Sequence, residues 1–340
     1  MASRHKDKAT GLDTGAAIRK VLRTKRITHA ALARAVGRAQ SNISVSLAQR
    51  SLHAYILWEM SVALRHNLFA DLAAQLADPH LVIVDSRHDL LNPSLGPEAY
   101  AAGHLPGAIF MSIDDDLSAA KTGSNGRHPW PTAETFAATL GRKGIGNASR
   151  VVVYDGGNAM YAGRLWWMLR WLGHDNVFVL DGGYAQWQKE GRAIDTTARL
   201  RAATNFQATV RKGMLLNAAD TLAALTDPSQ RILDARAHER YRGDVEPVDP
   251  VAGHIPGALN RPFALNLRDG VFKSAEELRR EFEVVLAGRT PAQLIHQCGS
   301  GVSACANIIA MEHAGLGGSR LYAGSWSEWC ADPSRPVARS

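Results

Sequence analysis

The sequence predicts an α/β protein: two tandem copies of one domain, each a parallel sheet with helices on both faces, behind a small all-α segment. The first observation behind this is an internal repeat. "VIVDSR" (82–87), "GHLPGA" (103–108), "VVVYDGG" (151–157) and "DGGYAQW" (181–187) recur in order as "RILDAR" (231–236), "GHIPGA" (253–258), "LIHQCGS" (294–300) and "AGSWSEW" (323–329). The offsets are 149 for Asp85 and Asp234, 150 for His104 and His254, 143 for Asp155 and Cys298, and 142 for Trp187 and Trp329. A period this long means duplicated domains rather than a solenoid. The second observation is alternation of short β-branched runs with helical stretches, the pattern of a parallel sheet covered by helices. The third is charge. Residues 1–50 carry 11 Lys+Arg against 2 Asp+Glu, whereas the remaining residues carry 28 against 30, so the basic excess marks off a separate segment.

Taken in order, residues 1–66 form the basic extension, with no acidic residue from 14 to 58. "THAALARAVGRAQSNISVSLAQ" (28–49) has apolar residues at helical spacing, a glycine at the break, and a second helix opening with Gln40, Ser41 and Asn42. It resembles the helix-turn-helix of phage-repressor-type DNA-binding domains, whose second helix enters the major groove. A basic docking arm, a transit peptide or upstream sequence from an overcalled start codon are the competing readings. DNA is therefore one candidate partner, through residues 13–66.

Residues 67–195 form the first copy and 196–340 the second. "VIVD", "VVVYD" and "VFVLD" read as buried strands bounded by Gly, Asp and Asn. "AETFAATLGRKG", "YAGRLWWMLRWLG", "SAEELRREFEVVLAG" and "VSACANIIAMEHAG" read as helices ending at Gly. "EGRAIDTTARLRAATNFQATVRKG" (190–213) interrupts the pattern and reads as the connection between copies. Trp166, Trp167 and Trp171 lie on one such helix and read as core. Three cysteines make no disulfide framework and suit a reducing, cytoplasmic setting. No apolar run is long enough to cross a bilayer, and the first residues lack the apolar core of a secretory signal.

The chemistry concentrates in "HQCGSGVSACANII" (296–309). An apolar strand delivers Cys298, and a helix starts near Ser303. Gly299, Ser300 and Gly301 permit a tight arc with its N–H groups turned inward, next to a helix N-terminus. Such a ring favours a thiolate and makes Cys298 a nucleophile. A cysteine phosphatase would need Arg six residues on, where Ala304 stands, and a redox Cys-x-x-Cys pair is absent. No Cys/His ligand spacing and no Walker or dinucleotide glycine motif is present, so neither a metal nor a nucleotide cofactor is expected.

Paired "GH[LI]PGA" motifs, "LDGG…W" and "CGSGVSA…GSWSEW" together resemble the tandem-rhodanese sulfurtransferases, from about residue 67 to the end. The resemblance implies a catalytically silent first copy and a second copy whose Cys298 forms a persulfide. Asp155 stands where Cys298 stands in the second copy, and it cannot carry a sulfane sulfur. The neutral loop Cys298-Gly299-Ser300-Gly301-Val302-Ser303 is similar to that of the 3-mercaptopyruvate type, whereas thiosulfate-preferring members carry basic residues after the cysteine. The implied reaction is a double displacement with no cofactor beyond the transient persulfide. A small-molecule donor supplies sulfur, and cyanide or a thiol, including a thioredoxin-like one, accepts it. Ser300 would relay a proton or bond the leaving group.

Carboxylate recognition calls for a guanidinium, and "DARAHERYRG" offers Arg236, Arg240 and Arg242. Matching the family's motif puts the substrate arginine at Arg240. Mercaptopyruvate-type members usually carry a second arginine further along, but "GDVEPVDPVAGH" (243–254) has none. Either Arg242 substitutes or the preference is broader, and the thiosulfate alternative stays open. So does a regulator sensing sulfur species through Cys298. His104 is a candidate for orienting Ser300 or the substrate, against the reading that His104 and His254 only fix their own turns. Asp85 and Asp234 are expected to bond local backbone. Cys305 is expected buried on the same helix face, and Cys330, after "WSEW", is open to exposure without an evident partner.

Overall fold

A computed structural model describes residues 14–36, 40 and 80–340. The chain divides into a unit up to Leu81 and a unit from Val82 to Ser340. In the first, α1 (Thr14–Lys25) buries Ile18, Val21 and Leu22. After a turn at Arg26 with φ +53°, Thr28 caps α2 (His29–Ala35) by accepting the Ala31 amide at 3.1 Å. The expected second helix at Ser41 and Asn42 lies outside the described residues.

The second unit holds two parallel sheets with one strand order. In the first copy, β1 (Leu81–Asp85), β2 (Ile109–Phe110), β3 (Arg150–Tyr154) and β4 (Val177–Val179) lie in the order β2-β1-β3-β4. The helices are α3 (Leu95–Ala102), α4 (Ala133–Arg142), α5 (Met160–Trp171) and α6 (Gly183–Lys189). In the second copy, β5 (Leu215–Leu216), β6 (Arg231–Asp234), β7 (Leu259–Asn260), β10 (Leu294–Gln297) and β11 (Arg320–Tyr322) lie in the order β7-β6-β10-β11-β5. Its helices are α7 (Ala218–Ala224), α8 (His238–Arg242), α9 (Ala275–Leu286), α10 (Ser303–His313) and α11 (Ser325–Trp329).

The repeated motifs make repeated contacts. Asp85 takes the Arg87 amide and guanidinium, and Arg87 also bonds the Gly103 carbonyl. Asp234, Arg236 and Gly253 repeat the arrangement. His104 lies on the Tyr100 ring, its centroid 3.9 Å away, with Nδ1 2.8 Å from the Tyr100 carbonyl. His254 and Tyr241 repeat this at 3.8 and 2.8 Å. Asp85, Asp234, His104 and His254 are thus each bonded within their own motif.

One apolar core runs through both copies. Trp167, Met168 and Leu169 of α5 are buried in the same cluster as Cys298, Cys305 and Ile308. Helices α5 and α10 touch at Gly163, where an added Cβ would stand 3.3 Å from the Cys305 side chain. Residues of the connection itself run back over the first copy, with the Thr204 amide donating to the Gly141 carbonyl and Arg211 paired with Asp175.

A two-stranded hairpin, β8 (Leu267–Arg268) and β9 (Val271–Phe272), is an element the sequence reading omits. Its two-residue loop, Asp269-Gly270, has both φ values positive, as a tight antiparallel turn requires. The Phe272 amide donates to Asp181 Oδ1 at 3.0 Å in the first copy. Burial pushes the Asp181 pKa up to about 6.

Asp155 ends β3 inside a ring of amides. Its carboxylate accepts from Gly157, Ala159, Tyr161 and Ala162 at 2.9 to 3.2 Å and is fully enclosed. Asp155→Ala strips the acceptor from four buried donors and should cost about 3 kcal/mol of folding stability. Urea unfolding of the two proteins measures it.

Candidate active site

The second copy builds the same ring around a different residue. Cys298 follows β10 and is buried. Its amide donates to Ser325 Oγ at 3.1 Å, and its carbonyl accepts from Trp326 at 2.9 Å. Gly299 accepts from Ser327 at 2.9 Å, so the turn into α11 holds the cysteine loop from behind. Gly301 has φ +71°, and a Cβ there would stand 2.3 Å from the Ala323 carbonyl. Only glycine fits the arc. Among the described residues, none accepts from the amides of Ser300, Val302 or Ala304. Their counterparts in the first copy are three of the four amides bonded to Asp155. The ring that one copy closes on its own carboxylate surrounds a thiol in the other.

The first copy supplies much of the remaining site. The segment 126–128 reaches onto the cysteine loop, with the Arg127 amide on Ser327 Oγ at 3.0 Å. His128 Nδ1 stands 2.8 Å from Ser300 Oγ, and its Nε2 faces Asp114 at 3.8 Å. Burial pushes the His128 pKa down to about 2, helped by Arg164 and Arg127. Arg164 of α5 is fully buried beneath the loop. It donates to the Leu117, His128 and Ser300 carbonyls at 2.9, 3.0 and 3.3 Å and lies against the Trp130 ring. Burial lowers its pKa to about 10.

Two guanidiniums stand over the loop. A Cβ built on Gly299 would lie 2.8 Å from Arg127 Nη2 and 3.7 Å from Arg240 Nη1. Both pair with Asp249, Arg127 through Oδ1 and Arg240 through Oδ2 at 3.1 Å, and Arg240 also holds Glu246 at 2.6 Å. Burial raises the Asp249 pKa against the pull of Arg127. Burial also opposes ionisation of Glu246, but Arg240 and the Asp249 amide outweigh it and lower its pKa.

Cys298, Gly299, Ser300, Gly301, Val302, Ser303 and Arg240 are thus brought together, and other candidates are not. Arg242 pairs with exposed Asp244 and is itself about half exposed, because α8 turns it away from Arg240. His104 is tied to Tyr100 and Asp195 inside its own turn, and His128 occupies the place beside Ser300. Arg236 is locked on Asp234. Cys330 is buried against Trp326 and Trp329 rather than exposed. Burial pushes the Cys305 thiol pKa up, in keeping with a packing role. Arg127 and His128 escaped the sequence reading. Their one signal is the polar "GRHPWP" between β2 and α4, which has no partner in the repeat.

A family model described as Rhodanese-like domain matches residues 68–190 and again 217–332. The chain belongs to the rhodanese-like family and carries two copies of its domain. It is 46% identical over 270 residues to the probable 3-mercaptopyruvate sulfurtransferase of Pseudomonas aeruginosa, spanning 78% of this chain and 95% of that protein. It is 41% identical over 272 residues to the putative thiosulfate sulfurtransferase SseB of Mycobacterium tuberculosis, spanning 78% and 93%. The crystal structure of SseA from Escherichia coli, a 3-mercaptopyruvate sulfotransferase, matches with a TM-score of 0.66 at 33% identity, covering 76% of this chain and 97% of that one.

The folded pKa of His128 lies below the unfolded value of about 6.5. The group therefore lowers stability only at acid pH, where the unfolded chain takes a proton that the folded chain refuses. Carbon-13 NMR of labelled histidines should show His128 neutral from pH 8 down to about 4. A midpoint near 6.5 would contradict the buried geometry.

Proposed function

We propose that this chain is a sulfurtransferase that moves sulfur from 3-mercaptopyruvate through Cys298 to a thiol or cyanide acceptor. The observation that carries this reading is a neutral thiol loop with two guanidiniums over Gly299, one from each copy. Arg240 and Arg127 bind the substrate carboxylate, and Arg127 serves as the second arginine that the loop after Arg240 lacks. Gly299, Gly301, Val302 and Ser303 contribute backbone.

The Cys298 thiolate attacks the substrate sulfur. A sulfur–sulfur bond forms, the carbon–sulfur bond breaks, and the electron pair leaves on the pyruvate enolate. The proton on the substrate sulfur passes by way of Ser300 to the enolate carbon, giving pyruvate. His128 Nδ1 accepts from the Ser300 hydroxyl and orients it for that relay. The persulfide then occupies the ring that Asp155 fills in the first copy. Attack by the acceptor on its outer sulfur restores the thiolate, so no resident cofactor takes part. A protein thiol of thioredoxin-like type is the proposed physiological acceptor. Three free cysteines suit a cytoplasmic setting, and among the described residues no helix is long and apolar enough to cross a membrane.

For the basic N-terminal segment we propose contact with DNA, supported by exposed Arg23, Lys25, Arg26 and Arg34 on α1, α2 and the turn between. A gel shift that weakens steeply with salt tests it, and retention of full turnover after deleting residues 1–66 would make it independent of sulfur transfer.

Steady-state transfer to cyanide tests the main reading. A higher kcat/KM for 3-mercaptopyruvate than for thiosulfate is expected, and Cys298→Ser should abolish both. Arg127→Met and Arg240→Met should each raise KM for the keto acid roughly tenfold to a hundredfold, the worth of a hydrogen bond to a charged group. Arg242→Met should leave it near wild type. A thiosulfate preference, or an Arg127→Met enzyme with unchanged KM, would overturn the assignment.

A further inference from the structure

We propose that His88, Asp114 and His128 form a binding site for a divalent transition-metal ion, with zinc the best match, and that the bound ion arrests the proton relay at Ser300. The three residues share no sequence spacing that marks a metal motif. The fold assembles them from the end of β1 and the long segment after β2. Their ligand atoms all lie within 4.8 Å of one another. The Asp114 carboxylate sits between the rings, Oδ2 at 3.9 Å from His88 Nε2 and Oδ1 at 3.8 Å from His128 Nε2. Both separations are too long for hydrogen bonds. Zinc bonds of about 2.0–2.2 Å in a tetrahedron hold ligand atoms roughly 3.3 Å apart, so modest rotations of these side chains close the site.

The second observation is an orphaned donor or acceptor. Among the described residues His88 Nε2 is buried without a hydrogen-bond partner, and the side chain is only 4% exposed. A buried imidazole nitrogen left unpaired is costly, and a metal bond removes that cost. Asp114 is 24% exposed and opens the site to solvent on one side. Two imidazoles and one carboxylate, with water in the remaining position, are a common zinc donor set. Lys121 competes, its ammonium 3.3 Å from Asp114 Oδ1, but it is 55% exposed and can turn out into water. Arg164 and Arg127 also face His128 and reduce affinity. They favour a weak, reversible site over a structural one.

The consequence follows from the two ring nitrogens of His128. In the tautomer that the proposed relay requires, a proton on Nε2 faces Asp114 and Nδ1, 2.8 Å from Ser300 Oγ, accepts from it. An ion on Nε2 displaces that proton, so a neutral ring must carry its hydrogen on Nδ1. The hydrogen bond to Ser300 then reverses, and His128 can no longer accept. This arrest rests on the proposed sulfur transfer; the binding does not.

The binding test uses the full chain with Cys298→Ser, which removes the reactive thiol as a competing ligand, and Co2+ as the absorbing probe. One ion per chain is expected, with ligand-field bands and no thiolate-to-metal charge transfer. His88→Gln and, separately, His88→Leu should weaken binding at least roughly tenfold, with circular dichroism confirming that each is folded. In the Cys298 enzyme, Zn2+ at a buffered free concentration should slow single-turnover pyruvate release from 3-mercaptopyruvate, which needs the relay, and spare sulfur loading from thiosulfate, which does not; the two His88 variants should keep metal-free activity while losing that inhibition. Equal Co2+ affinity in the His88 variants overturns the site. Intact binding with no His88-dependent inhibition overturns the arrest and leaves the site standing.

Discussion

The sulfur site depends on a buried cation whose hydrogen bonds all go to main-chain carbonyls. Arg164 belongs to the first copy, yet its guanidinium joins Leu117 and His128 of that copy to Ser300 of the other. Enclosing a charge this way is expensive, as its lowered pKa records. The carbonyl dipoles and the Trp130 face offset that cost only when the cysteine loop and the 117–128 segment are both in place. A single group thus makes the loop geometry conditional on docking of the two copies. Close packing at Gly163 and Cys305 brings α5 near enough for it to reach.

Duplication supplied the frame, and divergence of two positions divided the labour. Both copies end a central strand in a ring of amides held by the following strand–helix turn. Asp155 fills one ring with its own carboxylate, whose pKa burial raises against the pull of the four amides, and leaves no room for chemistry. Cys298 leaves the other with amides of Ser300, Val302 and Ala304 that, among the described residues, have no acceptor and stay open to a bound group. The copies also trade projections after their short edge strands. Residues 126–128 reach onto the cysteine loop, and the β8–β9 hairpin reaches back to Asp181. Each fold half is therefore completed by the other.

The frame was legible in the sequence because it is periodic. Strand runs, glycine-ended helices and the paired Asp, His and Trp landmarks each recur, and a recurring residue shapes backbone. That same logic explains why His104 belongs to a turn: it has a twin in His254, whereas a catalytic group should have none. The working residues of the interface were not legible, since Arg127 and His128 come from an irregular segment with no twin. Their distance from Cys298 along the chain, about 170 residues, carries no pattern that pairs them with it. Arg242 misled for the opposite reason. It is two residues from Arg240, but on the short α8 that spacing points a side chain to another face.

The arrangement of Arg127, Arg240 and Asp249 bears on substrate choice. Two guanidiniums at one mouth repel, and Asp249 bridges them with one oxygen each, so they stay convergent across the domain boundary. A substrate carboxylate offers the same fork of two oxygens and can take over those donors while Asp249 turns aside. The exchange keeps the guanidinium hydrogen bonds in number, and a keto-acid monoanion adds one negative charge beside Asp249 and Glu246, half of what a dianion adds. A dianion would enter beside Asp249 and Glu246 with no further cation immediately after Cys298, where Gly299 and Ser300 are neutral. On the proposed reading, the resident carboxylate does more than neutralise. It holds the clamp in the shape of the ligand and disfavours donors of higher charge.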